Sequence, residues 1–335
     1  MTEPQDTVFI REEISKCEDI KELREEIIPK LKSQQEQWIG KIKEIISSSG
    51  YTKTFLAEAC GVSRVSVDKW CKGAIPKNRE TFLRIGMAAH YDREHMDQLL
   101  QRYGQYPALY PKSLEDCICI FSLQKYREDT LVRYRDILTR IKERLTDGDT
   151  PKCTECEYST VMVDEELVSM KDEDELEAFI SKNASIFSTA YHRFYAYVKM
   201  CIKANYQGFA GSVFELAEGQ GWSSSLRQCV SEIRQNKWYP TRNKIISLGL
   251  HLSMDHDQID EMLGLAHMEP LCAKNIFESV IMFILDDASL NNMLDSQSED
   301  YDPDELCRYA RSVLEELDLP EIADFITELP ENEDE

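Results

Sequence analysis

Apolar residues recur at steps of three and four along most of this chain, which is the spacing of an α-helix that packs against a core on one face. The clearest run lies between residues 127 and 145, and its apolar positions are Leu131, Tyr134, Leu138, Ile141 and Leu145. Shorter runs with the same spacing lie at residues 82–89 and 96–103. The pattern predicts an all-α fold.

The pattern also repeats within the chain. Residues 7–14 align without gaps with residues 160–167, at an offset of 153. A second block pairs residues 85–120 with residues 248–283, at an offset of 163. Two ungapped blocks in the same order favour a duplicated unit, whereas the alternative is that both halves merely share generic amphipathic helices.

The repeat predicts two tandem helical units with further segments around them. The first unit spans residues 1–125 and the second, more diverged one spans residues 160–286. Residues 126–159 between them hold the helix of residues 127–145, as a packing or connecting helix, and a linker with Gly148 and Pro151. Residues 287–335 form a C-terminal tail, for which two short helices are predicted at residues 303–317 and 320–329.

Residues 53–72 have the residue types that a tight turn between two crossing helices requires. Ala57 is small where the helices meet, and Gly61 can take the positive φ of the turn. Ser63 is a favoured N-cap for the following helix. Val67 and Trp70 share one face of that helix and are expected to be buried.

This segment resembles the helix-turn-helix of the Cro/lambda-repressor family, also called the XRE type. The residues that stand at the family's spacing are Ala57, Gly61, Val67 and Trp70. The resemblance covers residues 42–104 and implies five helices, so the chain is expected to hold two lambda-repressor-like units. In that family the second helix of the motif enters the major groove. The resemblance therefore implies double-stranded DNA as the partner and residues 63–72 as the recognition helix.

The residues expected to face DNA lie on the outer side of that helix. They are Ser63, Arg64, Val65, Asp68, Lys69 and Lys72, and Lys77 and Arg79 are expected to extend the basic surface. Arginine and lysine can bind guanine edges or phosphates, and a carboxylate such as that of Asp68 can accept from cytosine N4. The alternative is that all of these are solvated residues of a fold kept only as a scaffold.

The net charge of −23 argues against DNA binding until its distribution is considered. Residues 286–335 carry 18 acidic and 2 basic residues, a net charge of −16. Residues 51–105 carry 9 basic and 6 acidic residues, a net charge of +3. The acidic tail is expected either to compete with DNA for the surface around Arg64 and Lys69 or to remain solvated.

The second unit has lost much of the basic character. Gly221 and Ser223 align with Gly61 and Ser63, but residues 212–270 carry 5 basic and 8 acidic residues. One alternative is an intramolecular pseudo-dimer with weaker backbone contacts, from Arg227, Arg234, Lys237 and Arg242. A structural or protein-binding role is favoured, with the second unit or the tail as the surface for a protein partner.

Other chemistry is weakly indicated. Cys153 and Cys156 form a C-x-x-C pair, which supplies two of the four ligands that zinc needs, so linker thiols are the favoured interpretation. No nucleotide-binding, nucleophile or zinc-protease motif is present, and neither enzymatic activity nor a cofactor is expected.

The chain starts without a signal-like segment, and its longest apolar runs, residues 117–121 and 280–285, are too short to span a bilayer. A cytoplasmic protein without a membrane partner is expected.

These observations predict a sequence-specific transcription regulator that reads the major groove with residues 63–72. The alternative is a protein-interaction adaptor that retains the fold without DNA binding, supported by the overall acidity and by the drift of the second unit. A basic surface on the first unit would favour DNA, whereas an apolar one would favour a protein partner. Two units in one chain would supply the paired sites that otherwise need a dimer, so the sequence does not fix the oligomeric state.

Overall fold

The computed structural model describes residues 7–48, 50–146, 159–187, 192–205, 217, 222–234, 241–294, 302, 304–320 and 322–330. The regular secondary structure of these residues is helical, and the fold is all-α, as the apolar spacing predicts. Within the same residues, no helix combines the length and the apolar character that a membrane crossing requires.

Helices follow one another closely along the N-terminal half. They are α1 (Thr7–Ile14), α2 (Ile20–Glu22), α3 (Gln34–Ser48), α4 (Lys53–Cys60), α5 (Arg64–Trp70), α6 (Arg79–Ala88), α7 (Arg93–Gln98), α8 (Leu114–Lys125) and α9 (Thr130–Thr146). Two π-helical turns, Leu23–Ile27 and Leu99–Tyr103, extend α2 and α7, and a 3-10 turn covers Ile28–Lys30.

The C-terminal half continues in the same way. Its described helices are α10 (Thr160–Ser169), α11 (Glu173–Lys182), α12 (Ala184–Phe187), α13 (His192–Asn205), α14 (Ser224–Arg234), α15 (Arg242–His251), α16 (His256–Leu265), α17 (Ile276–Leu290), α18 (Glu305–Leu317) and α19 (Ala323–Ile326).

The chain divides into two compact units that do not follow its order. The central unit is Trp38–His192, and the split unit combines Met1–Gln37 with Arg193–Glu335. Each unit therefore contains helices from both halves of the chain. The short N-terminal helices belong with the helices after residue 193, while α10 and α11 belong with α8 and α9.

Close packing of two helices recurs in the two units because a glycine stands at the same place in each. A Cβ on Gly86 would lie 2.5 Å from Met96, so α6 and α7 approach more closely than any side chain would allow. A Cβ on Gly249 would lie 2.7 Å from Ile259, which repeats this crossing between α15 and α16. Both pairs are related by the offset of 163.

Buried polar contacts also recur. In the central unit, Arg79 donates to both carboxylate oxygens of Asp116, at 2.7 and 2.9 Å. In the split unit, Arg242 donates to Glu278 at 2.6 and 2.8 Å. The acid in each pair also accepts a backbone N–H, from Tyr110 and Cys272 respectively.

These contacts show that the last part of the repeat aligns at an offset of 162, one residue less than the part before it. Asp116 corresponds to Glu278 at an offset of 162, whereas ungapped pairing at 163 matches Glu115 with it. The central unit has its extra residue near the π-helical turn Leu99–Tyr103, and α16 of the split unit stays α-helical to Leu265. A π-helical turn is the usual way in which a helix absorbs one inserted residue.

Helix α9 in the central unit and helix α18 in the split unit each bury an apolar face. On α9 the buried residues include Tyr134, Ile137 and Ile141, and α9 packs on α6 and α8. On α18 the buried residues are Leu306, Cys307, Ala310, Val313, Leu314 and Leu317, and α18 packs on α15 and α17. The acidic segment is therefore not a solvated tail in its described residues, because α18 contributes to the core of the split unit.

Candidate nucleic-acid interface

The helix-turn-helix of the central unit is held by hydrogen bonds from its own side chains. Thr52 Oγ1 accepts from the backbone N–H of Phe55 at 3.1 Å and begins α4. Gly61 ends α4 with φ +66°, the left-handed conformation that the sequence predicts for the turn. Ser63 Oγ then accepts from the N–H of Ser66 at 3.1 Å and begins α5, so the turn is capped on both sides.

The inner side of the motif is packed into the core of the central unit. Ala57, Val67 and Trp70 are buried, with 3%, 0% and 6% of their surfaces exposed. The indole N–H of Trp38, on α3, donates to the carbonyl oxygen of Ala74 at 3.0 Å and ties down the chain that follows α5. The orientation of α5 is therefore fixed, and the same residues face outward throughout.

Outward-facing residues on α5 and directly after its end are mostly basic. Arg64, Lys69 and Lys72 are exposed, and none of them forms an ion pair with a carboxylate in the described part of the chain. Ser63 is exposed at the start of the helix, and Val65 beside it is 61% exposed. This face can therefore offer three cations and one apolar contact to an anionic partner.

Asp68 is the one acidic residue on this face, and a cation holds it. Lys53 Nζ, on α4, donates to Asp68 Oδ1 at 2.7 Å. This hydrogen bond lowers the pKa of the Asp68 carboxyl and raises the pKa of Lys53. The carboxylate charge is thus balanced locally, and it opposes an approaching phosphate less than an unpaired carboxylate would.

Lys77 is exposed, as predicted for a basic rim, and lies near α5. An open depression of about 190 Å³ is lined by Lys69 and Lys77 together with apolar residues that include Trp70 and Ile75. Two cations from different segments therefore reach one concave surface.

Arg79 does not belong to this surface. Its side chain is 10% exposed, and its guanidinium is bound to Asp116, whose side chain is completely buried. The prediction that Arg79 extends the basic rim fails because the side chain stabilises the attachment of α6 to α8. The sequence does contain an indication of this buried role. Arg242 stands at the position of Arg79 in the repeat, whereas the basic residues of α5 have no basic counterparts in the split unit.

Two arginines beside the turn are not predicted by the sequence pattern. A Cβ placed on Gly61 would lie 3.3 Å from Arg84 Nη1 and 3.7 Å from Arg135 Nη2. Arg84 donates to the carbonyl oxygen of Cys60 at 3.0 Å and pairs with Glu80, whereas Arg135 is exposed. Arg135 lies on α9, and the apolar stripe that predicted this helix gave no indication that its exposed side reaches the turn.

The split unit contains the counterpart of this motif. The backbone N–H of Trp222 donates to the carbonyl oxygen of Ala217 at 2.9 Å, as that of Val62 does to Ala57 at 2.9 Å. Ser223 Oγ accepts from the N–H of Leu226 at 3.0 Å and begins α14. These bonds are related to those of α4 and α5 by an offset of 160. At that offset, Ser224, Cys229 and Glu232 occupy the places of Arg64, Lys69 and Lys72.

The start of α14 is covered by the end of the chain. The Glu328 carboxylate accepts a hydrogen bond from Ser223 Oγ and pairs with Lys244. The carbonyl oxygen of Glu328 accepts from His251 Nε2 at 2.9 Å. Arg311 Nη1, on α18, donates to the carbonyl oxygen of Leu329 at 2.9 Å. In the described residues, the acidic tail therefore packs on its own unit, where four side chains hold residues 328 and 329.

Two further predicted features need correction or lie outside the described residues. Arg242, suggested as a backbone contact, is buried against Glu278 and also donates to the carbonyl oxygens of Glu269 and Pro270. Cys153, Cys156 and Lys237 fall outside the described residues. Across the part of the chain that is described, no three His, Cys, Asp or Glu side chains form a group that could hold a metal ion.

Comparisons with known proteins give the chain no relatives. No family model, no curated protein and no solved structure matches it.

Proposed function

We propose that this protein binds double-stranded DNA through α4 and α5 of the central unit and acts as a transcription regulator. The observation that supports the proposal most is the outer face of α5, where Arg64, Lys69 and Lys72 are exposed and the single carboxylate is paired with Lys53. Such a face suits a helix that lies in the major groove between two phosphate backbones.

Each residue has a role that follows from its place on the helix. Arg64 is the first residue of α5, where a guanidinium can donate two hydrogen bonds to guanine O6 and N7. Val65 is suited to contact with a thymine methyl group. Lys69 lies further along α5 and Lys72 directly after its end, and both are suited to phosphate contacts, with Lys77 beside Lys69.

The resemblance to the Cro/lambda-repressor family supports the same use of α5. The residues that carry this resemblance form a capped turn with a buried inner side, which is consistent with that use. The split unit is assigned a structural or protein-binding role. Its α14 lacks the three cations, and Glu328 lies at its first turn, where a DNA phosphate would otherwise approach.

The test is selection of duplexes from a random-sequence pool by the purified full-length protein, followed by binding measurements across a salt series. The variant Arg64→Ala/Lys69→Ala should weaken binding to the enriched sequence by about tenfold or more, because each base contact contributes about 1–3 kcal/mol. The slope of log affinity against log salt should become shallower by about 0.9 for each phosphate that the variant no longer neutralises.

A matched control removes the same charge elsewhere in the central unit. Lys171 and Lys182 are exposed and flank α11, away from the motif in sequence. The variant Lys171→Ala/Lys182→Ala should retain both the affinity and the salt slope. Equal losses in the two variants would mean that only net charge matters, which would contradict reading through α5.

The second candidate function is a protein-interaction adaptor. Phe55 on α4 and Val65 on α5 are 47% and 61% exposed, and exposed apolar residues of this size also suit a protein partner. Absence of any enriched duplex would favour the adaptor, and variants Phe55→Ala and Val65→Ala would then identify its surface.

A further inference from the structure

The N-terminal segments of the two repeats are exchanged between the units. Helix α1 and its repeat counterpart α10 are related by the offset of 153. Helix α1 belongs to the split unit, where it packs on α17, and α10 belongs to the central unit, where it packs on α8. Each half of the chain thus supplies its first helix to the body formed by the other half.

The two exchanged segments begin their second helix in the same way. Asp19 accepts from the N–H of Glu22 at 2.9 Å, and Asp172 accepts from the N–H of Glu175 at 3.0 Å. The two glutamates return a bond to the N–H of Glu18 and of Lys171. This shared cap does not distinguish which body each segment joins.

Charge distinguishes the two segments. In the split unit, Arg11 lies 2.7 Å from His256 Nε2 and 3.3 Å from Asp286 Oδ1. In the central unit, Asp164 lies 2.6 Å from Arg93. Arg11 corresponds to Asp164 at the offset of 153, and His256 corresponds to Arg93 at 163. The same two repeat positions therefore meet in both units, with opposite charges on the segment.

Docking of each segment on its own half would bring like charges together. Arg11 would face Arg93, and Asp164 would face Asp286 with His256 beside it. We propose that Arg11 and Asp164 direct each N-terminal segment to the helices of the other half, so that residues 1–146 and 159–330 are each other's binding partner. Like charges placed against the unwanted arrangement are a general means of specifying a partner.

The first test cuts the chain without removing any part of it. A protease site is inserted among residues 147–158 of the full-length protein, and the purified protein is cleaved. The two pieces should co-elute as one species on size exclusion in native buffer and separate in denaturant. Separation in native buffer would overturn the proposal.

The second test distinguishes exchange from any other contact between the pieces. In the exchanged arrangement, Arg93→Asp places a carboxylate against Asp164 and should weaken association of the cleaved pieces by about tenfold. In the alternative arrangement the new carboxylate would face Arg11, and association would not weaken through this contact. Asp97 lies 3.9 Å from Arg93, so the substitution also adds repulsion within its own helix in either case.

Restoring the opposite charge isolates the contact. Addition of Asp164→Arg to Arg93→Asp should return the affinity to within about threefold of the unsubstituted protein. Arg102 is exposed in the turn that follows α7, so Arg102→Asp provides the same charge change without the contact and should leave association unchanged. Failure of Asp164→Arg to restore association would overturn the proposal.

Discussion

Helices α5 and α14 begin in the same way and present different chemistry. Each starts at a serine whose hydroxyl caps the helix, and each follows a turn closed by the same backbone bond. At the first turn of α5 stand an arginine and an exposed valine, whereas the first turn of α14 has serines and is covered by Glu328. Backbone geometry has therefore been retained while the outer surface has changed.

The interior of the two units, in contrast, contains the same buried residues. Both contain the arginine at the start of the helix after the motif, the buried acid that binds it and the glycine that allows two helices to cross. Residues that are buried on all sides have few acceptable replacements, because removal of a partner leaves a charge or a cavity behind. Exposed residues can diverge without such a cost, and the surfaces of the two units differ there.

Replacement of a buried arginine should have the strongest effect, on the stability of its own unit. Arg79→Ala and Arg242→Ala should each lower the free energy of unfolding of their own unit by about 3–5 kcal/mol, since each leaves a buried carboxylate without its partner. Hydrogen exchange followed by peptide mass spectrometry assigns the loss to a unit. Lys77→Ala, an exposed neighbour, should change stability by less than about 0.5 kcal/mol. A small effect of Arg79→Ala would contradict the buried pair.

A second effect is expected on the pH dependence of stability, which should differ between the two units. Burial lowers the pKa of His251 from 6.5 to about 4, so the folded split unit keeps this imidazole neutral while the unfolded chain takes up a proton. Its stabilising contribution is complete above pH 6.5 and is lost as the pH falls towards 4. The full loss is about 3 kcal/mol, at about 1.4 kcal/mol for each pKa unit.

Unfolding measured between pH 7 and pH 4 checks this expectation. The variant His251→Gln keeps a donor for the carbonyl oxygen of Glu328 and should remove most of the pH dependence that is assigned to the split unit. The corresponding residue of the central unit is Ala88, which does not titrate. An unchanged pH profile in the variant would show that other groups, such as the half-buried His267, carry the dependence.

The smallest effect concerns the exposed face of α5. Asp68→Asn removes the carboxylate and leaves Lys53 without this partner, so the affinity for an enriched duplex should rise severalfold at low salt. The salt slope should steepen by about 0.9 if Lys53 then binds one phosphate. Folding should change little because both side chains are well exposed. Unchanged affinity would place Asp68 away from the DNA.

Much of this arrangement follows from the sequence by simple physical rules. The apolar spacing predicts the helices and their buried faces, and the residue types at Gly61 and Ser63 predict a capped turn, because each rule depends on neighbours a few residues away. The exchange of α1 and α10 could not be predicted in this way, since periodicity shows which face is buried and not which helix covers it. Arg79 was assigned to the surface because a basic side chain next to other basic side chains gives no local sign of a distant buried acid. The packing of the acidic tail could not be predicted for a related reason, because the sequence predicts a helix at residues 303–317 but not which helices cover its apolar face.

We propose that α5 contacts DNA and that α14 does not. Val65 and Ser225 are both exposed and occupy the same position of the repeat, so a photoreactive phenylalanine analogue placed at either one is a matched probe. Irradiation of the two proteins with the enriched duplex should cross-link position 65 to DNA and leave position 225 unlinked. Equal cross-linking at both positions, or cross-linking at 225 alone, would contradict the account.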